Sequence, residues 1–291
     1  MNKIKIDFVI IGAQKSGTTT IHEILKNHPQ IQLPFYKEAF EYLFKPNKLK
    51  DCYRLVNQKY KYGLVIPQIM CYPSLLKKII KNNPDVKLIC ILRDPFQRMV
   101  SALKMYYQWG YITKSIYLNY NFQIPKNFNF LKKRYTLKQI KYDRSIKNIV
   151  SWSYYGKILN YIIKKYKIKK KNLIVITFDD LKKNNLKKLF NFLNIKQIKL
   201  HRIEKSNISN IDYLNRLMFF CLIIIKKIFF IRILFNILPS KLKFLIVQFR
   251  LTHIKRNFLH RNFVFSKKLE NSIYKDLQKN YLTKNLKFKL K

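Results

Sequence analysis

Apolar positions along this chain follow two rhythms. Phe8, Val9, Ile10 and Ile11 form an unbroken run, the pattern of a strand buried on both faces in a parallel sheet. From Thr18 the spacing becomes helical, with Ile21, Ile24 and Leu25 on one face, and it predicts a helix to about Asn27 that stops before Pro29. The alternation then repeats. A short strand is expected from Ile31, and Lys50 to Tyr60 look helical. A second strand covers Gly63 to Ile66 and is closed by Pro67, and Pro73 opens a helix to about Lys81. After a turn at Asn82 to Asp85, Val86 to Leu92 read as a third buried strand, with Pro95 opening the next helix. Residues 110–141 are aromatic, basic and weakly periodic, and a stretch that long between elements is usually a lid, a binding loop or disorder. Further on come an amphipathic helix (Ser153 to Tyr166), a strand (Asn172 to Thr177), a helix (about Asp179 to Leu193) and a closing helix (Ser266 to Leu282). Strands alternating with helices predict an α/β fold: a three-layer sandwich with a mostly parallel central sheet and a helical C-terminal part. No internal repeat or linker interrupts the chain, so residues 1–291 are expected to form a single domain.

Candidate chemistry lies where strands give way to helices. Between Phe8 and Thr20 the chain passes from buried strand, through Gly12-Ala-Gln-Lys-Ser-Gly17, into three threonines and a helix. Glycines let backbone N–H groups converge there, and the helix dipole favours negative charge. Gly12 and Gly17 bracket four residues, as in a nucleotide P-loop, but the Gly-Lys-Ser/Thr lysine of that motif is missing and the cation, Lys15, sits inside the loop. That placement argues against a magnesium-dependent triphosphate site and suits a 5′-phosphate with Lys15 beside an atom leaving it. Arg93 follows the third buried strand, at the sheet edge where ligands of open α/β folds bind. Ser101 lies eight residues further, about two helical turns on, and an arginine with a hydroxyl at a helix start suits a second phosphate. Acids are scarce, so Glu38 and Glu41 draw notice; each is either a base or a carboxylate complementing a helix N-terminus. His28 reads as a structural helix-end residue, and His22 leans the same way.

Composition alters this picture in one respect. The chain has 60 Lys+Arg against 14 Asp+Glu, a net charge of +46. Two explanations compete: a polyanionic partner such as nucleic acid, an acidic glycan or anionic lipid, and compositional bias, which is expected to be the main cause because the chain is also rich in Asn, Ile, Phe and Tyr, the residues of A+T-rich codons. Whatever its origin, the charge attracts anions and makes binding salt-sensitive. Cys52, Cys71, Cys90 and Cys221 form no metal-binding pattern and are expected to be reduced and mostly buried. No secretory signal is seen, and a cytoplasmic protein is expected. Leu214 to Leu238 is strongly apolar but interrupted by Lys226, Lys227 and Arg232, too early for a spanning helix of about 20 residues. The helical segment 211–260 therefore either packs on the sheet or lies on a membrane surface.

The two anion motifs resemble those of the sulfotransferase superfamily, in the branch that holds heparan-type and bacterial carbohydrate sulfotransferases. Gly12 to Thr19 resembles its 5′-phosphosulfate loop, Lys37-Glu38 its Lys-Glu-x-x-x-Phe segment, and Leu88 to Ser101 its 3′-phosphate motif. Tyr154 to Tyr166, Ile174 to Leu193 and Lys205-Ser-Asn207 resemble later elements, so the likeness spans nearly the whole chain. It implies a metal-independent enzyme that takes 3′-phosphoadenosine 5′-phosphosulfate as donor and sulfates a hydroxyl or amine of an acceptor, a glycan or lipid-linked glycan, with no specific nucleic-acid partner. The catalytic residues it implies are Lys15 and Glu38, the latter as general base. The donor would be held by Gln14, Lys15, Ser16, Gly17, Thr18, Thr19, Arg93, Ser101, Tyr154, Lys205 and Asn207, and residues 110–141 would form the variable acceptor loop. One departure stands out: where relatives often read Gly-Glu-Lys-Thr-Pro, this chain reads Gly63-Leu-Val-Ile-Pro67, so a second active-site lysine is absent at Val65. Two other classes share part of the pattern. A P-loop kinase has the fold but requires the missing lysine and a magnesium-binding acid. A basic nucleic-acid or membrane-binding protein explains the charge but not the ordered phosphate motifs.

Overall fold

The computed structural model of the chain describes residues 5–34, 37–43, 53, 59–108, 111–136, 146, 148–198, 262–280 and 282–284. The helix expected over 50–60 lies almost wholly outside these, as do Cys52, Cys221, Lys205, Asn207 and the segment 211–260. The chain divides into two compact units. One comprises Met1–Met99, Phe122–Asn207 and Phe265–Lys291; the other comprises Val100–Asn121 and Ile208–Val264.

The first unit holds a five-stranded sheet: β1 (Phe8–Gly12), β2 (Ile31–Gln32), β3 (Lys61–Val65), β4 (Lys87–Leu92) and β5 (Leu173–Thr177), in the order β2-β3-β1-β4-β5. Every pairing is parallel, with Val9 opposite Leu64 on one side and Leu88 on the other, and Ile89 opposite Ile174. β1 is buried along its whole length, which is why it reads as a continuous apolar run rather than an alternation. The chain leaves β1 for β2 at one edge of the sheet, whereas it leaves β4, the neighbour of β1, for β5 at the other edge. The carboxyl end of β1 is therefore a topological switch point, where an open α/β sheet leaves a crevice for ligand.

The described helices are α1 (Thr18–Lys26), α2 (Pro73–Asn82), α3 (Pro95–Gln108), α4 (Lys114–Leu118), α5 (Asn148–Ser151), α6 (Tyr155–Tyr166), α7 (Phe178–Lys182), α8 (Lys187–Leu193) and α9 (Lys267–Gln278), of which α4 and most of α3 belong to the second unit. One core cluster joins Phe8, Ile10, Ile89 and Ile91 of the sheet to Ile21 and Leu25 of α1 and to Leu189, Phe190 and Leu193 of α8. α6 packs against α9 and against the turn Ile69–Cys71. Among the four cysteines, Cys71 and Cys90 are described, and both are buried.

The helix expected over 179–193 is broken in two. Thr177 caps α7 through a capping box with Asp180, its Oγ1 accepting from the Asp180 N–H at 3.0 Å. The helix ends at Lys182, Asn184 just beyond its cap takes a left-handed φ of 54°, and α8 starts after Leu186. Asn184-Asn185 is a poor helix-forming pair and suits a left-handed stop. The break lets Leu181, Leu186 and Leu189 all reach the core. The remaining boundaries moved little: the second strand starts at Lys61, and the last helix ends at Gln278.

In the second unit, Thr113 caps α4 by accepting from the Ile116 N–H at 3.2 Å, and Tyr117 stacks on Tyr107 at 4.8 Å.

Candidate active site

The loop after β1 is built for an anion. Gly17 stands before the first turn of α1 with φ 86°, a left-handed value that a side chain resists, and it supplies no side-chain cap. A Cβ there would lie 2.7 Å from both the Phe178 ring and Leu181, so the loop also needs glycine to fit against α7. The first intrahelical bond of α1 runs from the Ile21 N–H to the Gly17 carbonyl at 3.1 Å. By helical geometry the N–H groups of Thr18, Thr19 and Thr20 point out of the helix end without an intrahelical acceptor. Ser16 is fully buried, and Gln14 is half-buried with its Oε1 lacking a partner.

Lys15 sits in this loop at φ 69°, strained backbone of the kind stored at functional sites. Burial, helped by the neighbouring charges of Lys37 and Arg93, brings its pKa down from 10.5 to about 8, while Glu38 pulls the other way. These groups belong to three different connections, after β1, β2 and β4. The fold thus gathers three cations and one carboxylate at the carboxyl edge of the sheet.

Glu38 shares the strained left-handed conformation, with φ 69°. Its N–H donates to the Val65 carbonyl at 2.9 Å, its Oε2 accepts from Gln68 Nε2 at 2.9 Å, and its Oε1 lies 3.7 Å from Lys37 Nζ. It precedes the turn Phe40–Leu43 and is held by other elements, so it is not merely a helix-end carboxylate in solvent. Lys37 reaches back to Thr19, donating to its Oγ1 at 2.9 Å, and ties the base segment to the phosphate loop. Val65 is itself buried in the core cluster, while its carbonyl fixes the Glu38 backbone.

Arg93 follows β4, the strand next to β1. Its guanidinium lies over the Phe178 ring at 4.9 Å and donates to Gln97 Oε1 at 3.2 Å. Among the described residues it makes no ion pair with a carboxylate, which leaves its charge available to an anionic ligand. Arg98, five residues on, is fully buried and donates to Ser153 Oγ at 2.8 Å and to the Ile149 carbonyl; it holds α5 in place. Ser101 is half-buried on α3, in the part of that helix assigned to the second unit.

Tyr154, expected to touch the donor, and its neighbour Tyr155 have different surroundings. The Tyr154 hydroxyl shares a 2.9 Å hydrogen bond with Ser272 Oγ of α9, and its ring meets Phe128 edge-on at 5.0 Å. Tyr155 is fully buried, donates from its hydroxyl to the Arg93 carbonyl at 3.1 Å, and has Ser16 and Arg98 as neighbours. Its hydroxyl pKa is pushed up by burial. Tyr155 therefore buttresses both anion motifs, a role that sequence reasoning missed along with those of Phe178, Gln68 and Lys37. Of these, only Lys37 was singled out in the sequence, beside Glu38 and without a role of its own.

The start of α6 is anchored from afar. Asp276 of α9 accepts from the Gly156 N–H at 2.8 Å and the Lys157 N–H at 2.9 Å. Burial raises its pKa to about 6 against the lowering effect of those two bonds.

Both histidines have structural surroundings. His28 accepts from the Gln30 N–H at 3.1 Å, which leaves Nε2 to donate to the Lys196 carbonyl at 2.9 Å. Nδ1 of His22 pairs with Glu23 at 3.1 Å, and its Nε2 is buried without a partner. Among the described residues no cluster of His, Cys, Asp and Glu could hold a metal ion, and no helix is long and apolar enough to cross a membrane.

A parallel α/β sheet with a lysine-bearing glycine loop after its central strand, and an arginine after the neighbouring one, defines a P-loop-like α/β fold. Residues 5–216 match the model of the sulfotransferase domain, and the chain belongs to that family. It is 31% identical over 127 residues to the membrane-associated sulfotransferase kil1 of Dictyostelium discoideum, a match covering 40% of this chain and 26% of that protein. The chain thus matches about a quarter of that relative's length. A sulfotransferase from Alicyclobacillus acidocaldarius shares the fold, with a TM-score of 0.53 at 16% identity over 71% of this chain and 87% of that one.

Proposed function

We propose that this chain moves a sulfuryl group from 3′-phosphoadenosine 5′-phosphosulfate to a hydroxyl or amine of an acceptor, a glycan or lipid-linked glycan. The observation that carries the reading is the convergence of Lys15 and Glu38, each at strained φ, from separate connections. The N–H groups of α1, with the Thr18 and Thr19 hydroxyls, hold the 5′-phosphate. Arg93 takes the 3′-phosphate; Ser101 is the hydroxyl that matches the family motif in sequence. Lys15 neutralises the phosphate oxygen as it departs, and Glu38 takes the proton from the acceptor. An anhydride donor is already activated, so alignment and charge stabilisation suffice without a metal.

One thermal-shift series tests this. Adenosine 3′,5′-bisphosphate, the product, should raise the melting temperature more than AMP or ATP at equal concentration, and EDTA should not diminish the shift. At one hundred times Kd, ligand stabilisation reaches about 2.7 kcal/mol. Equal shifts with AMP would remove the 3′-phosphate assignment, and a magnesium-dependent preference for ATP would favour a kinase.

We also propose peripheral membrane association, supported by the name of the Dictyostelium relative and by the apolar, cation-interrupted stretch 214–238. Flotation with anionic liposomes should carry the protein upward. Recovery entirely in the unbound fraction at low salt would count against it.

A further inference from the structure

We propose that Lys37 is a second cation on the transferring sulfuryl group, set between the phosphate loop and Glu38. The proposal rests on the sulfotransfer reading above. Lys37 Nζ donates to Thr19 Oγ1 at 2.9 Å and stands 3.7 Å from Glu38 Oε1. Thr19 is in the first turn of α1, where the 5′-phosphate would be held. Glu38 marks the side from which the acceptor comes. A sulfuryl group bonded to that phosphate, and attacked from the acceptor side, must place its oxygens between Thr19 and Glu38. The Lys37 ammonium occupies that interval.

The charge balance of the site points the same way. An ammonium has three donors, and two contacts leave Lys37 one more N–H to offer. Its side chain retains 22% exposure, so an incoming group can reach it. Burial lowers its pKa, with Glu38 opposing. Lys37 also depresses the pKa of Lys15, so the two cations are held together against their mutual repulsion. An anion entering between them relieves that repulsion, and perturbed neighbouring cations of this kind mark ligand sites.

In the reaction, a bond forms between sulfur and the acceptor oxygen or nitrogen. The bond from sulfur to the bridging oxygen breaks, and its electron pair stays on the 5′-phosphate. The acceptor proton passes to Glu38. Lys37 remains protonated throughout and faces the sulfuryl oxygens, while Lys15 faces the departing phosphate.

Affinities for two probes separate the outcomes without any knowledge of the acceptor. These are 3′-phosphoadenosine 5′-phosphosulfate and adenosine 3′,5′-bisphosphate, titrated into wild type, Lys37→Met, Lys37→Arg and Lys15→Met. Lys37→Met should weaken the sulfated probe about tenfold, the scale of one charge-assisted contact, and the bisphosphate by no more than about twofold. Lys37→Arg should restore most of the difference, and Lys15→Met should weaken both probes. An equal loss of both in Lys37→Met would make Lys37 a phosphate ligand, and no loss of either would make it only a strut for Glu38; each result overturns the proposal. Wild type that binds neither probe would instead remove the sulfotransfer reading itself.

Discussion

Raising the pH through 8 should weaken adenosine 3′,5′-bisphosphate binding about tenfold per pH unit, because Lys15 loses its proton in the free protein. Its pKa falls from the ordinary 10.5 to about 8 through burial and the charges of Lys37 and Arg93. That drop corresponds to about 3.4 kcal/mol against the ammonium. Lys15 keeps some exposure, so solvent screening makes that figure an upper bound. The sign follows directly. The native state sheds this proton before the unfolded chain does, so the cost to stability is present in full below pH 8 and is relieved between about 8 and 10.5. A bound bisphosphate opposes deprotonation, which is why the free-protein value governs the apparent Kd. Calorimetric titration from pH 7.5 to 9.5 tests this at constant ionic strength, since a net charge of +46 makes binding salt-dependent. Starting at 7.5 avoids the second phosphate ionisation near 6. Lys15→Met should bind weakly at every pH without the alkaline fall, and Lys15→Arg should keep its affinity through 9.5. A flat wild-type Kd across the range, or the same fall in Lys15→Met, would refute the reasoning.

Two further outcomes are expected. Glu38→Gln should leave bisphosphate affinity unchanged but lower kcat by about two to four orders of magnitude, the usual worth of a positioned base. Single-turnover transfer checks this once an acceptor is in hand, and wild-type turnover in Glu38→Gln with loss in His22→Ala would reassign the base. Gly156→Ala should cost about 1–3 kcal/mol, because its Cβ would lie 1.9 Å from the Asp276 carbonyl oxygen and force α9 outward. That predicts a melting temperature lower by several degrees, with weaker bisphosphate binding because Tyr155 moves too; an unchanged melting temperature would show that α9 yields freely.

The division between sequence and structure runs along contact range. The strand at Phe8, the glycines and the helix at Thr18 were legible because each is a local pattern, a period of apolar residues closed by a residue of special backbone freedom. Arg93 was legible for the same reason, as the residue ending a buried strand. Lys15 and Glu38 could be nominated as chemistry, but nothing local brings them together; that is done by parallel pairing on both sides of β1. Tyr154 and Tyr155 show the limit most clearly. Neighbours at a helix start point about 100° apart, and no periodicity says which faces the phosphate motifs. Here α9 decides: Ser272 takes the Tyr154 hydroxyl, and Asp276, 120 residues from Gly156, caps the helix that turns Tyr155 towards Arg93. The break at Asn184 differs, because it is marked locally: Leu181 and Leu186 are five residues apart, one more than a helical step, with Asn184-Asn185 between them. Local pattern thus determined which elements form and which residues carry charge. Tertiary packing alone decided which charges meet, because burial and distance set the pKa of Lys15 and the partners of Lys37 and Glu38.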